Sequence, residues 1–214
     1  MKKTLFSALV LLAAACKKDA PAVDPDFGPT VTKVKANLAT LAKIEKAIAE
    51  VPPLAHDTLA LPGGKKESST LITVEQLSSL GGCFKDAHIC NDLWWRLSGC
   101  DALTKLTPEA AAAQFDAVNE LKRCAALRYV AVARKRAFTK PVADKASKTY
   151  QAGHLSVELL VFDLQTAAYL GGFVVDAKSP ESLEKVTATT NVDGWLHEQL
   201  GRVVFDAMRA RIDT

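Results

Sequence analysis

Four histidines, five cysteines and one dense run of lysines and arginines are the residues through which this chain could do chemistry. His56, His88, His154 and His197 are scattered, and none belongs to a His-Glu-x-x-His pattern that would set two metal ligands and a base on one helix face. There is no Gly-x-Ser-x-Gly nucleophile turn and no dinucleotide fingerprint, and Gly63-Gly64-Lys65-Lys66 has too short a glycine spacing to cradle phosphate. His197 and Glu198 are neighbours, but adjacent helical positions diverge by about 100°, so they do not face each other. Glu158 and Asp163 lie at odd separation and point to opposite faces of a regular strand, which argues against a catalytic carboxylate pair. The basic run is the stronger signal. Arg134, Lys135, Arg136, Lys140, Lys145 and Lys148 are opposed only by Asp144, a local +5 on a connection between two strands. With Pro141 and small residues it reads as an exposed arm, suited to anionic lipid headgroups, lipopolysaccharide phosphates or an acidic protein. A solvated hairpin kept soluble by its charge is the plain alternative.

The N-terminus determines where such an arm would work. Met1-Lys2-Lys3 precede an apolar run from Leu5 to Ala15, and Ala13-Ala14-Ala15 lead into Cys16. About 11 apolar residues cannot cross a bilayer core, which needs roughly 20 in a helix, so residues 1–15 read as a secretion signal. Residues 12–16 resemble the lipobox of bacterial lipoproteins, with Leu12 one place earlier than the leucine of the usual pattern. The resemblance implies cleavage before Cys16, lipidation of its thiol and attachment to a membrane. Because Lys17 rather than aspartate follows the cysteine, it also implies the periplasmic face of the outer membrane. Residues 16–29, with Pro21, Pro25 and Pro29, then form a tether reaching roughly 40 Å, and 30–214 a single domain.

Export gives the other cysteines a meaning. Cys83, Cys90, Cys100 and Cys124 are even in number, and disulfides persist outside the cytoplasm. Cys83, His88, Cys90 and Cys100 are close enough to weigh as a metal site. None of their spacings is a Cys-x-x-Cys pair, however, and an oxidising compartment disfavours free thiolates, so no metal and no cofactor are expected. Four cysteines allow three pairings. Cys83 with Cys90 and Cys100 with Cys124 is preferred, because short loops close most easily.

The elements that position these groups follow from periodicity. Val31, Val34, Leu38, Leu41, Ile44 and Ile48 recur at helical steps, predicting a helix over 31–51 that Pro52-Pro53 stops. Thr70 to Val74 predicts a short strand followed by helical turns through Leu80; the alternative is a helix boxed by Thr73 and Gln76. In the cysteine-rich stretch, Trp94 and Trp95 point in different directions and read mainly as packing. Thr107-Pro108-Glu109 opens a helix predicted to continue to Cys124 and to bury Phe115, Val118 and Leu121. Three strands are predicted next. The first, 127–138, has Val130, Val132 and Phe138 on one face until Arg134 and Arg136 carry it out of the core. The second, 155–164, is apolar on both faces and hence central; in the third, 167–177, Gly171-Gly172 marks a bulge or a close approach. Asp193 is expected to cap a last helix with the stripe Leu196, Leu200, Val203 or Val204, Ala207 and Ile212.

Strands in a run favour an α+β domain: a small antiparallel sheet of about four strands with helices on one face, disulfide-bonded. Phe162-Asp163-Leu164 followed by Leu170-Gly171-Gly172 is similar to the strand, turn and strand of outer-membrane lipoprotein domains of the curli-secretion and penicillin-binding-protein-activator kind. The order of elements from Thr107 onward resembles theirs, which implies a helix-and-sheet domain at that membrane. The cysteine-rich insert departs from the pattern, so no activity is carried over. The formal charge of +3 falls to +1 without Lys2 and Lys3, which gives no argument for nucleic acid. The expected function is that of a membrane-anchored, non-enzymatic binding or scaffold module for another envelope protein or an anionic lipid; the alternative is an envelope enzyme whose site the sequence does not reveal.

Overall fold

The computed structural model describes residues 22–78, 96–144, 149–179 and 192–213. Helix α1, Phe27–Ile48, buries Val34, Leu41, Ile44 and Ile48 on one stripe. It starts four residues before the expected Val31. Phe27 is buried with Cys100, Ala111 and Leu121, and Pro29 is tolerated in a first turn whose N–H groups need no helical acceptor. The last residues of the expected tether are therefore helix.

Strand β1, Ser69–Thr73, leads directly into the short helix α2, Val74–Ser78. The Thr73 N–H donates to Gln76 Oε1 at 2.8 Å, one half of a capping box, so strand and box coexist. Helix α3 spans Arg96–Leu103. Instead of one helix to Cys124 there are two: α4, Pro108–Ala113, with Thr107 Oγ1 accepting the Ala110 N–H at 3.2 Å, and α5, Ala117–Ala126. Gln114 is extended and Asp116 left-handed at φ 63°, a conformation an aspartate tolerates, and Asp116 Oδ1 accepts from Asn119 Nδ2 at 2.8 Å. On a continuous helix Ala111 and Ala117 would lie about 120° apart. The break turns both into the core and turns Phe115 out, where it is fully exposed rather than buried as expected.

The sheet is four-stranded and mixed, in the order β1-β2-β5-β6, with β2 at Tyr129–Thr139, β5 at His154–Asp163 and β6 at Tyr169–Lys178. β2, β5 and β6 are antiparallel neighbours, but β1 runs parallel to β2, not antiparallel as expected. A parallel pair needs a long crossover, and the helices between the two strands supply it. Between β2 and β5 a hairpin is formed by β3, Val142–Asp144, and β4, Thr149–Gln151.

Helices cover both faces of the sheet, not one. Ala131, Leu159 and Phe173 face Leu200, Val204, Met208 and Ile212 of helix α6, Val192–Ile212. Val132, Leu160 and Phe162 face Leu41, Ile44 and Ile48 of α1. Two apolar faces on the central strands require two covers. In α6, Val204 is buried and Val203 exposed; Met208 completes the stripe, and Asp193 lies inside the helix, which already includes Val192. Beyond the first half of α1, the helices α3, α4 and α5 build a third apolar cluster, crossed by a disulfide between Cys100 and Cys124 with Cα atoms 5.8 Å apart.

Candidate functional site

Along β2 the backbone changes character at Ala133. Tyr129 through Ala133 are buried, Arg134 is half-buried, and Lys135, Arg136 and Ala137 are exposed. The register with β5 slips between Lys135 and Ala137, so Arg136 is an extra residue in a bulge. That single insertion inverts the alternation. Phe138 packs with Ala131 and Ala133, on the opposite face from Val130 and Val132, whose face it was expected to share.

The face carrying Val130 and Val132 is apolar only where α1 covers it. Further along it carries Arg134, Arg136, His154, Ser156, Glu158 and Asp176, with the side chains of Arg136, His154 and Asp176 exposed by 44%, 36% and 60%. Glu158 is 2% exposed and ionically paired: Arg134 Nε lies 2.6 Å from its Oε2, and the Leu54 N–H donates to its Oε1 at 2.7 Å. Arg134 also donates to the Val51 carbonyl at 2.7 Å and the Pro52 carbonyl at 2.9 Å. The guanidinium thus ties the chain leaving α1 to the sheet, which removes Arg134 from the expected binding set. Arg136 Nε lies 3.9 Å from the same carboxylate but stays half open to solvent.

Asp176, opposite Ser156 on the neighbouring strand, is held below the usual carboxylate range by a hydrogen bond from the Ser156 hydroxyl and, less strongly, by His154 and Arg136. His154 Nε2 is 3.4 Å from Asp176 Oδ1. Serine, histidine and aspartate are therefore together, but in the wrong order for nucleophilic catalysis. The carboxylate lies between hydroxyl and imidazole, where an activated serine needs the imidazole between the other two. His56 is elsewhere: it lines a shallow, mostly apolar cavity of about 490 Å³ with Leu54, Tyr169 and Gly171. Tyr169 to Gly171 lie about 23 Å or more along β6 from Lys178, the partner of His154. The carboxylate Asp163 serves a turn, accepting from the Gln165 N–H at 2.7 Å and pairing with Arg128 Nη2 at 2.6 Å. A smaller cavity of about 270 Å³ beside the disulfide contains Glu120, Arg123, Arg209 and Asp213, already joined as Glu120–Arg123 and Arg209–Asp213 pairs. Among the described residues no group of three histidine, cysteine or acidic side chains could hold a metal ion.

Of the expected site residues, Lys135, Arg136 and Lys140 lie exposed on the outer end of β2 and the start of the hairpin. Lys145 and Lys148, like Cys16, Cys83 and Cys90, are outside the described residues. Ser156 and Asp176 escaped the sequence reading; the only signal was a polar residue at an alternate position in an apolar strand. No described helix is long and apolar enough to cross a membrane. Compared with known proteins, the chain matches no family model, no curated protein and no solved structure.

Proposed function

We propose that this chain is an envelope lipoprotein, anchored through Cys16 to the periplasmic side of the outer membrane, whose domain binds an anionic partner without catalysing a reaction. The observation that carries the reading is the division of labour within the basic run. Arg134 is held by Glu158 and two backbone carbonyls, whereas Lys135, Arg136 and Lys140 lie exposed at the end of β2 and the start of the hairpin, in a run whose sequence from Lys135 to Lys148 carries five cations against Asp144. A shallow cationic surface suits phosphate or carboxylate recognition; the serine, histidine and aspartate beside it lack the order needed for catalysis.

Changing Lys140, Lys145 and Lys148 to Gln tests this. At about 1 kcal/mol per lysine near an anionic surface, binding to anionic vesicles or to a captured envelope partner weakens by about 3 kcal/mol, roughly a hundredfold, and becomes less dependent on salt. The control replaces Lys33, Lys43 and Lys46, exposed on α1, and changes net charge equally. Equal binding by parent and hairpin variant, or equal loss in the control, overturns the proposal.

A further inference from the structure

We infer that the end of the domain built from α3, α4 and α5 rests on the anchoring bilayer, with Phe115 inserted at the headgroup boundary, so that the cationic hairpin is presented away from that membrane. The inference rests on anchoring through Cys16 as proposed above. The fold takes hold of the chain at Asp24, whose carboxylate lies 2.6 Å from Lys122 Nζ on α5, and Phe27, three residues later, is buried. Asp24 is only eight positions after Cys16, a span of at most about 29 Å. Phe115 precedes α5, roughly 10 Å along it from Lys122. It is therefore among the parts of the domain that the tether holds near the membrane.

The hairpin lies at the other end. Asn37 of α1 donates to the Leu127 carbonyl, and Arg134 donates to the Val51 carbonyl. Eleven helical steps from Asn37 to Ile48 rise about 17 Å, with Val51 three residues further on, and seven strand residues from Leu127 to Arg134 span about 23 Å, so α1 and β2 run in the same direction over this stretch. Phe27 is then about 32 Å from Ile48 along α1, and Thr139 about 16 Å beyond Arg134 along β2.

A tether alone leaves orientation open; the surface at Phe115 selects it. The ring projects fully into solvent beside an apolar groove of about 450 Å³ containing Leu103, Leu106 and Ala117. The nearby charges are mostly engaged with one another, Asp101 with Lys105 and Arg123 with both Asp116 and Glu120. An exposed aromatic side chain beside an apolar groove is suited to the boundary between headgroups and acyl chains.

The test places a photoreactive benzoyl-phenylalanine at position 115, or at the exposed Val142 of the hairpin, in the full chain expressed in cells that process lipoproteins and fed a fatty-acid analogue. Fatty-acid label on both proteins, lost on Cys16→Ser, reports the anchor. Illumination should then give lipid adducts at 115 and none at 142. Labelled protein without lipid adduct at 115, an adduct there to protein instead, or lipid adducts at both positions overturns the orientation while leaving the anchor in place. Absence of fatty-acid label overturns the anchor and the orientation with it.

Discussion

The two ends of this domain are fastened by different chemistry. Around α3, α4 and α5 the buried fastening is a disulfide set among Val34, Ala111, Ala117 and Leu121, with ion pairs such as Asp24–Lys122 and Asp101–Lys105 kept to its surface. Around the hairpin it is polar and ionic: Glu158 with Arg134, Asp176 with Ser156 and His154, and Ser179, whose hydroxyl lies 2.6 Å from Tyr150 Oη and accepts the Gly153 N–H at 2.7 Å. The disulfide and its apolar surroundings answer to reductant, whereas the buried fastening at the other end is a pair of charges. Each end should therefore fail under its own reagent, and each can be weakened without the other.

The largest effect is expected at Glu158. Glu158→Ala leaves the Arg134 guanidinium and the Leu54 N–H without their acceptor and should lower the unfolding free energy by about 3 to 5 kcal/mol in urea titration. Glu158→Gln keeps an acceptor for Leu54 and should cost less. A loss below about 1 kcal/mol would mean that the pair behaves as a surface contact and would erase the contrast between the ends. At the opposite end, Cys100→Ser combined with Cys124→Ser opens a loop of 24 residues' separation and should cost about 3 to 4 kcal/mol on the chain-entropy account. Reductant should reproduce this loss in the parent and in Glu158→Gln, but not in the double serine variant.

The smallest effect concerns acid. The Asp176 pKa is depressed in the fold, so its ionised form stabilises fully above the ordinary value of 3.8, and the contribution is lost as pH falls below that value through the folded pKa. Because the side chain is 60% exposed, the amount is under about 1 kcal/mol. Asp176→Asn should remove it, giving a shallower decline in melting temperature as pH falls below about 4 while leaving sensitivity to reductant unchanged.

Local pattern made much of this fold legible. The stripes of α1 and α6, the threonine cap before Pro108 and the doubly apolar β5 are each written within a few residues. What escaped depends on partners far along the chain. Nothing near Phe115 announces the left-handed Asp116, because the break is selected by what Ala111 and Ala117 must reach. Phe138 lies on the unexpected face because a bulge at Arg136 is a property of two strands, not one. The parallel pairing of β1 likewise involves a crossover of more than 50 residues. The candidate site was legible as a charge cluster but not as a geometry. Arg134 and Lys135 are alike in sequence, and only the register with β5 brings Glu158 opposite Arg134.

Gly171 carries a consequence for how these molecules behave in a crowd. It adopts φ 97°, and a Cβ there would lie 2.2 Å from the Thr58 carbonyl oxygen, because Thr58 to Ala60 run against β6 and donate to the Gly172 and Leu170 carbonyls at 2.8 and 2.9 Å. That passing strip occupies backbone groups on the outer strand which another chain could otherwise pair with. Farther along, Asp176 and Lys178 place charge on the same strand. Blocked along one stretch and charged along the next, β6 is a poor template for strand addition, the first step of amyloid-like aggregation. At high concentration such molecules meet repeatedly, and Gly171→Val, by forcing Thr58 away, should turn those meetings into aggregates that light scattering detects.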